Sequence, residues 1–163
     1  AEGPKNVAQT MEIADGWLPI FFSPYRTQIY DAALAKAKPG FEVACTVTTI
    51  VNDDVQAGLN FVKMSLGFYL GGMGAKDKNF HLDLARRLGW GKEADRVQEL
   101  FLAGRRQEAF AAVPDEMADE TALIGPPARI RERLEVWKKS PVTTLMVTAR
   151  DKDTLRIFAE AVG

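Results

Sequence analysis

The sequence predicts an α/β fold built on a small parallel sheet. Short strand-like apolar runs alternate along the chain with segments of helical period, the order that right-handed βαβ units produce. The run Phe41 to Val51 places Val43, Cys45, Val47, Thr49 and Val51 at alternate positions and is β-branched at most of them, as a strand requires. Three runs read as strands, too few for the helices around them. A complete (β/α)8 barrel takes about 250 residues, and this chain has 163.

The first element, Pro4 to Ala14, reads as a helix. Pro4 suits the first helical position, and Val7, Met11 and Ala14 make one apolar stripe. Trp17 to Phe22 is a nearly unbroken apolar run, predicted to be a strand buried on both faces. Ser23-Pro24 signals a second helix start, with Ile29, Ala33 and Leu34 facing inward, and Lys38-Pro39-Gly40 breaks it. After the strand 41–51, Asn52-Asp53-Asp54 offers N-caps to a long helix whose stripe is Val55, Leu59, Val62, Leu66 and Tyr69. That helix is expected to stop at Gly71-Gly72.

Residues 80–113 read as all-helical, with stripes at Phe80, Leu84, Leu88, then Val97, Leu100, Phe101, then Ala109, Phe110, Val113. The acidic run Asp115 to Glu120 is expected to be a solvated helix start. Gly125-Pro126-Pro127 opens another helix carrying Ile130, Leu134 and Trp137. Thr143 to Thr148 is the third expected strand, and Leu155, Phe158, Ala159 and Val162 mark a final amphipathic helix.

Composition excludes some functions. Lys plus Arg is 21 and Asp plus Glu is 22, a net charge of −1, which gives neither the basic footprint of a nucleic-acid binder nor a polybasic membrane signal. No apolar run approaches the ~18 residues of a membrane span. The single cysteine, Cys45, cannot form an internal disulfide, and the single histidine, His81, cannot help build a Cys/His zinc site, so no metal is expected. The opening residues lack a basic and an apolar signal region, so the expected compartment is the reducing cytoplasm.

Three turns could hold an anion. Ala1-Glu2-Gly3-Pro4-Lys5-Asn6 puts free backbone N–H groups and the positive dipole end at a helix start, with Lys5 adding charge. An ordinary helix start explains the same residues. Gly71 to Lys78 is rich in glycine and lysine and lacks the Gly-Lys-Ser/Thr of a phosphate loop, so a plain connecting loop competes with a ligand role. Gly125-Pro126-Pro127-Ala128-Arg129 opens a helix too, and a rigid turn is the alternative there. His81 is either an acid–base group or a structural residue. Asp53-Asp54 reads as capping, and Cys45 as a buried, inert thiol.

Taken together, Ala1 to Ala8, Ala14-Asp15-Gly16-Trp17-Leu18-Pro19, Phe68 to Phe80 and Leu123 to Ile130 resemble the C-terminal half of bacterial luciferase-like flavin-dependent oxidoreductases. Within them the chain looks most like the group that uses the deazaflavin coenzyme F420. The resemblance implies an α/β fold, the C-terminal part of a (β/α)8 TIM barrel. Its strands six to eight would be Trp17 to Phe22, Phe41 to Val51 and Thr143 to Thr148. Residues 1–70 and 123–163 would be βα units of a single partial domain, 71–122 a helical insertion, and Ala1-Glu2 the end of strand five. The chain is then a fragment or a natural half-barrel.

By the same resemblance, the cofactor-binding residues would be Ala1, Glu2, Gly3, Pro4, Lys5 and Asn6, at the phosphate-bearing side chain of F420, with FMN as the alternative. Gly74, Ala75 and Lys76 would be a lid. The parent enzyme would pass a hydride between deazaflavin and a small-molecule substrate. An FMN-dependent monooxygenase and a non-catalytic, self-associating half-barrel are the alternatives, and a homo-oligomer is expected. Pro126 and Ala128 stand where relatives often carry a hydroxyl and an acidic residue. No residue is assigned a catalytic role.

Overall fold

The computed structural model describes residues 1–75, 77–149 and 151–162. Helix α1 (Pro4–Ile13) buries Val7 and Met11, as its stripe predicts. Strand β1 is only Gly16–Trp17, which corrects the expected strand over 17–22. Pro19 has no N–H for a ladder, Leu18 is exposed, and Phe21 turns to a positive φ of 50°. The helix expected from Ser23 is also shorter. A 3-10 turn at Thr27–Tyr30 leads into one turn of α-helix, α2 (Asp31–Leu34).

Strand β2 (Glu42–Val51) is the hub of the sheet. Its first residues pair with β1, Ala44–Val47 pair with β4 (Thr144–Val147), and Thr48–Val51 pair with β3 (Ala122–Gly125), all in parallel. The described sheet thus has four strands where three are expected. The strand missed is β3, four residues buried on both faces, too short to show a period.

Helix α3 (Val55–Gly72) follows β2, and the side chain of Asp54 caps it by accepting from the Ala57 amide at 3.0 Å. Next come α4 (Phe80–Arg87), α5 (Gly91–Leu102), α6 (Arg106–Ala111) and α7 (Asp115–Glu120), then β3, α8 (Pro127–Lys138), β4 and α9 (Lys152–Val162). Two stripes differ in detail from the periodic reading. Phe80 is exposed while Leu82, Leu84 and Ala85 are buried, and Leu155 is exposed while Thr154, Ile157 and Phe158 are buried.

Two apolar clusters result. Val43, Cys45 and Val47 of β2 pack with α1, α8 and α9 through Met11, Ile130, Trp137 and Phe158. The other cluster joins α3 to α4–α7 and to Ala122 and Ile124 of β3. Burial pushes the Cys45 thiol up to about 12, so it stays protonated and shielded at neutral pH. We expect a thiol-reactive dye at pH 8 to leave Cys45 unlabelled in folded protein and to label it fully in urea. Rapid labelling without denaturant would contradict this burial.

Candidate functional site

The turn before α1 is fastened on one side and exposed on the other. Gly3 is the N-cap of α1 and supplies no side-chain cap, and Pro4 occupies the first turn. The first backbone N–H groups of the helix are therefore left to solvent or a ligand. Lys5 and Asn6 are exposed beside them. Behind the turn, Trp17 Nε1 donates to the Ala1 carbonyl at 2.9 Å, and Arg87 Nη2 donates to the Glu2 carbonyl at 2.6 Å. Glu2 Oε1 lies 2.8 Å from Nδ1 of His81, each side chain being 16% exposed. β1 and α4 thus hold Ala1 and Glu2 while Gly3 to Asn6 stay open.

His81 is placed by its surroundings. Asn79, itself buried, caps α4 by accepting from the amides of His81 and Leu82, and its Nδ2 donates to the carbonyls of Tyr69 and Leu70. The start of α4 is thereby tied to the end of α3. The imidazole meets Tyr69 edge-on at 4.8 Å and Phe21 at 5.9 Å between centroids. Phe21 is the one described non-glycine residue with positive φ, and such strain gathers at functional sites.

Of the candidate lid, Gly74 and Ala75 lie in a tight turn closed by the Lys78 amide donating to the Ala75 carbonyl at 3.0 Å. Lys76 lies outside the described residues. The turn leads directly into Asn79 and His81.

The Gly125–Arg129 turn is occupied by its own side chain. Gly125 has φ 123°, and a Cβ there would come within 2.8 Å of Arg129 Cδ. Arg129 donates to the Ile124 carbonyl and pairs with Asp119 at 2.7 Å. It is already paired, which removes the ground for an anion site here.

The acidic run 115–120 is not a plainly solvated helix start. Glu120 is 7% exposed and accepts from Ser23 Oγ at 2.8 Å and Arg26 Nε at 2.7 Å. Arg26 also donates to the Leu88 carbonyl and lies over Trp90 at 4.2 Å. Asp115 pairs with Lys63 of α3, whose ammonium holds the Asp115 carboxyl below its ordinary range. Sequence reasoning missed these pairings because their partners lie 52 to 97 positions away.

A cleft of about 430 Å³ opens at the C-terminal ends of β2 and β4, lined by Thr48, Asn52, Phe61, Thr148, Asp151 and Thr154 among others. Parallel strands place ligand sites at that end. The Thr154 amide and hydroxyl hold the Asp151 carboxyl low. No local pattern signals this cleft, because its residues come from β2, α3, α9 and the loops that follow β2 and β4. None of residues 1–6 lines it. Among the described residues no group of three or more His, Cys, Asp or Glu could hold a metal ion, and no helix is long and apolar enough to cross a membrane.

Comparison with known proteins bears on this arrangement. The family model for luciferase-like monooxygenases matches residues 1–144. A Mycobacterium tuberculosis (strain H37Rv) protein named a coenzyme F420-dependent oxidoreductase, Rv3520c, is 40% identical over 171 residues, covering 99% of this chain and 49% of that protein. Two solved structures share the fold. Coenzyme F420-dependent tetrahydromethanopterin reductase from Methanopyrus kandleri superposes with a TM-score of 0.66 at 20% identity, covering 99% of this chain and 47% of that one. An F420-dependent secondary alcohol dehydrogenase, in complex with an F420-acetone adduct, superposes with a TM-score of 0.59 at 14% identity, covering 98% and 45%. The chain spans about half the length of each of these three proteins. The sequence and its parallel α/β fold agree, and the chain belongs to the luciferase-like monooxygenase family.

Proposed function

We propose that this chain carries the cofactor-tail side of an F420-dependent oxidoreductase. The observation that carries the reading is the uncapped start of α1, held from behind by Trp17, Arg87 and His81. The anionic tail of F420 fits such a start. The backbone N–H groups after Gly3 would face the phosphate, and exposed Lys5 would add a cation. When bound, the deazaflavin supplies hydride transfer to or from a small organic substrate. β1, β2 and β4 would be strands six to eight of a (β/α)8 barrel, with α4 to α7 as its helical insertion. The cleft at the ends of β2 and β4 would then open into the barrel mouth, where such enzymes build their sites. The names of the relatives favour F420 over FMN.

The test is a fluorescence titration with F420 and with FMN, on the longest polypeptide that the gene encodes. F420 is expected to bind more tightly than FMN. Lys5→Glu reverses one exposed charge and is expected to weaken F420 by about tenfold or more, with an unchanged melting temperature. Equal affinity in wild type and Lys5→Glu would remove residues 1–6 from the site. Tighter FMN binding would turn the reading toward a flavin enzyme.

A further inference from the structure

We propose that the cleft at the ends of β2 and β4 takes an uncharged alcohol or ketone with an apolar chain, its oxygen beside Thr48 and Thr148 and its chain along Phe61, Met64 and Phe68 of α3. This deepens the proposed function and rests on its reading that the cleft belongs to the reaction site. Phe61 is then the residue that sets substrate size.

Helix α3 carries three lines of side chains. Leu59, Val62, Leu66 and Leu70 are buried against α4–α7 and β3. Gln56, Asn60 and Lys63 form a polar line that is already engaged: Gln56 donates to Asn60 at 3.2 Å, and Lys63 pairs with Asp115 of α7 at 2.8 Å. Ala57, Phe61, Met64 and Phe68 follow at i, i+4, i+7 and i+11, the spacing of one helix face. This line is apolar, yet Phe61 and Met64 are each 53% exposed and Phe68 is 47% exposed. A surface helix ordinarily turns polar side chains outward. The line starts inside the cleft, which Ala57 and Phe61 both line. From Phe61 to Phe68 it runs on for about 10 Å at the rise of an α-helix.

The other wall of the cleft is polar. Val47 and Val147 are register partners, so Thr48 and Thr148, the next residues along, stand side by side, and both line the cleft. Neither hydroxyl is engaged by another described residue, whereas the Thr49 hydroxyl donates to the Val47 carbonyl. A hydroxyl both donates and accepts, so the pair suits an alcohol or a carbonyl oxygen. A few polar groups converging beside an apolar wall are what orients a small ligand. Among the described residues that line the cleft, Asp151 is the charged side chain. Its carboxylate accepts from the Thr154 amide at 2.7 Å, and its negative charge disfavours an acid. The occupant is a small molecule rather than a second copy of the chain. Three half-exposed side chains offer roughly 300 Å², from ~150–250 Å² per buried aromatic, and a stable interface takes about 800 Å² from each partner.

The longest polypeptide that the gene encodes is titrated by saturation-transfer NMR with straight-chain methyl ketones from butanone to decanone, and with carboxylates of matching length. Affinity for the ketones is expected to rise about twofold to fourfold with each methylene that α3 covers. The carboxylates are expected to bind more weakly than the ketones. Phe61→Ser is expected to weaken every ketone longer than butanone, by about tenfold, and Phe68→Ser to weaken only the longest. Leu102→Ser is the control, since Leu102 on α5 is as exposed as Phe61 and no change is expected there.

An affinity that does not change with chain length overturns the proposal, and this wild-type result decides even if a variant fails to fold. Equal binding by Phe61→Ser and wild type overturns it too, and a tighter carboxylate overturns the uncharged class. A wild-type dimer in sedimentation that Phe61→Ser makes monomeric assigns the line to a second copy instead. The F420 titration of Lys5→Glu keeps the two readings apart. Impaired F420 binding there with no chain-length effect fails this proposal alone, and the expected chain-length effect in a protein that does not bind F420 fails the cofactor reading alone.

Discussion

Arg26→Ala is expected to lower unfolding free energy by about 3 kcal/mol, the cost of leaving a buried carboxylate without its cation. Glu120 is 7% exposed, and Oε2 accepts from both Arg26 and Ser23. With the guanidinium gone, Ser23 alone faces it. Arg26 is itself about a quarter exposed, so the figure lies at the low end of the range for broken buried pairs. Adding Glu120→Leu should recover most of the deficit, because an apolar side chain of similar length leaves no buried charge. Urea melts of wild type, Arg26→Ala and the double variant read both effects. A double variant no better than the single would show that Glu120 reaches solvent.

The same network shows what the sequence could and could not reveal. β2 is legible because Val43, Cys45, Val47 and Thr49 alternate and are buried on one face, with Val51 exposed only at the end. α1, α3 and α8 were legible from their stripes and from Pro4, Asp54 and Pro127 at their starts. β1 was over-read because an apolar run looks alike in a buried strand and in a loop packed under neighbours. Phe22 and Ser23 are buried without being in a strand. β3 was missed for the converse reason, since Ala122 to Gly125 is buried throughout and follows a helical stretch without a break. At the site, the helix start at Gly3-Pro4 is a local signal and could be read. The Glu2–His81 contact joins residues 79 positions apart through the packing of α4 on its neighbours, and no local pattern encodes it.

Gly71→Ala is expected to destabilise by about 2 kcal/mol, although alanine is the better helix former by about 1 kcal/mol. Two terms of opposite sign compete. Gly71 lies inside α3 and is buried, so propensity alone predicts a gain. A Cβ there would stand 2.4 Å from both Cβ and Cγ of Phe101 on α5. The Phe101 Cβ is fixed to the backbone and no rotation of the ring moves it, so α5 must shift, and such overpacking costs roughly 1–3 kcal/mol or more. Gly67, one turn earlier, is held in the same way by Phe110 of α6, whose Cδ1 would lie 2.6 Å from a Cβ. Gly71→Val should cost more than alanine, since it adds bulk to the same contact. Gly91→Ala supplies the control. Its Cβ would meet nothing closer than Arg86 Cγ at 3.6 Å, ordinary contact, and no loss is expected there. Urea midpoints of the three variants measure the competition. Destabilisation at Gly71 with none at Gly91 means that α3 and α5 touch backbone to ring. Stabilisation at Gly71 would mean that the helices stand farther apart. α4 packs on both α3 and α5, so that outcome would also withdraw the support that holds His81 against Glu2.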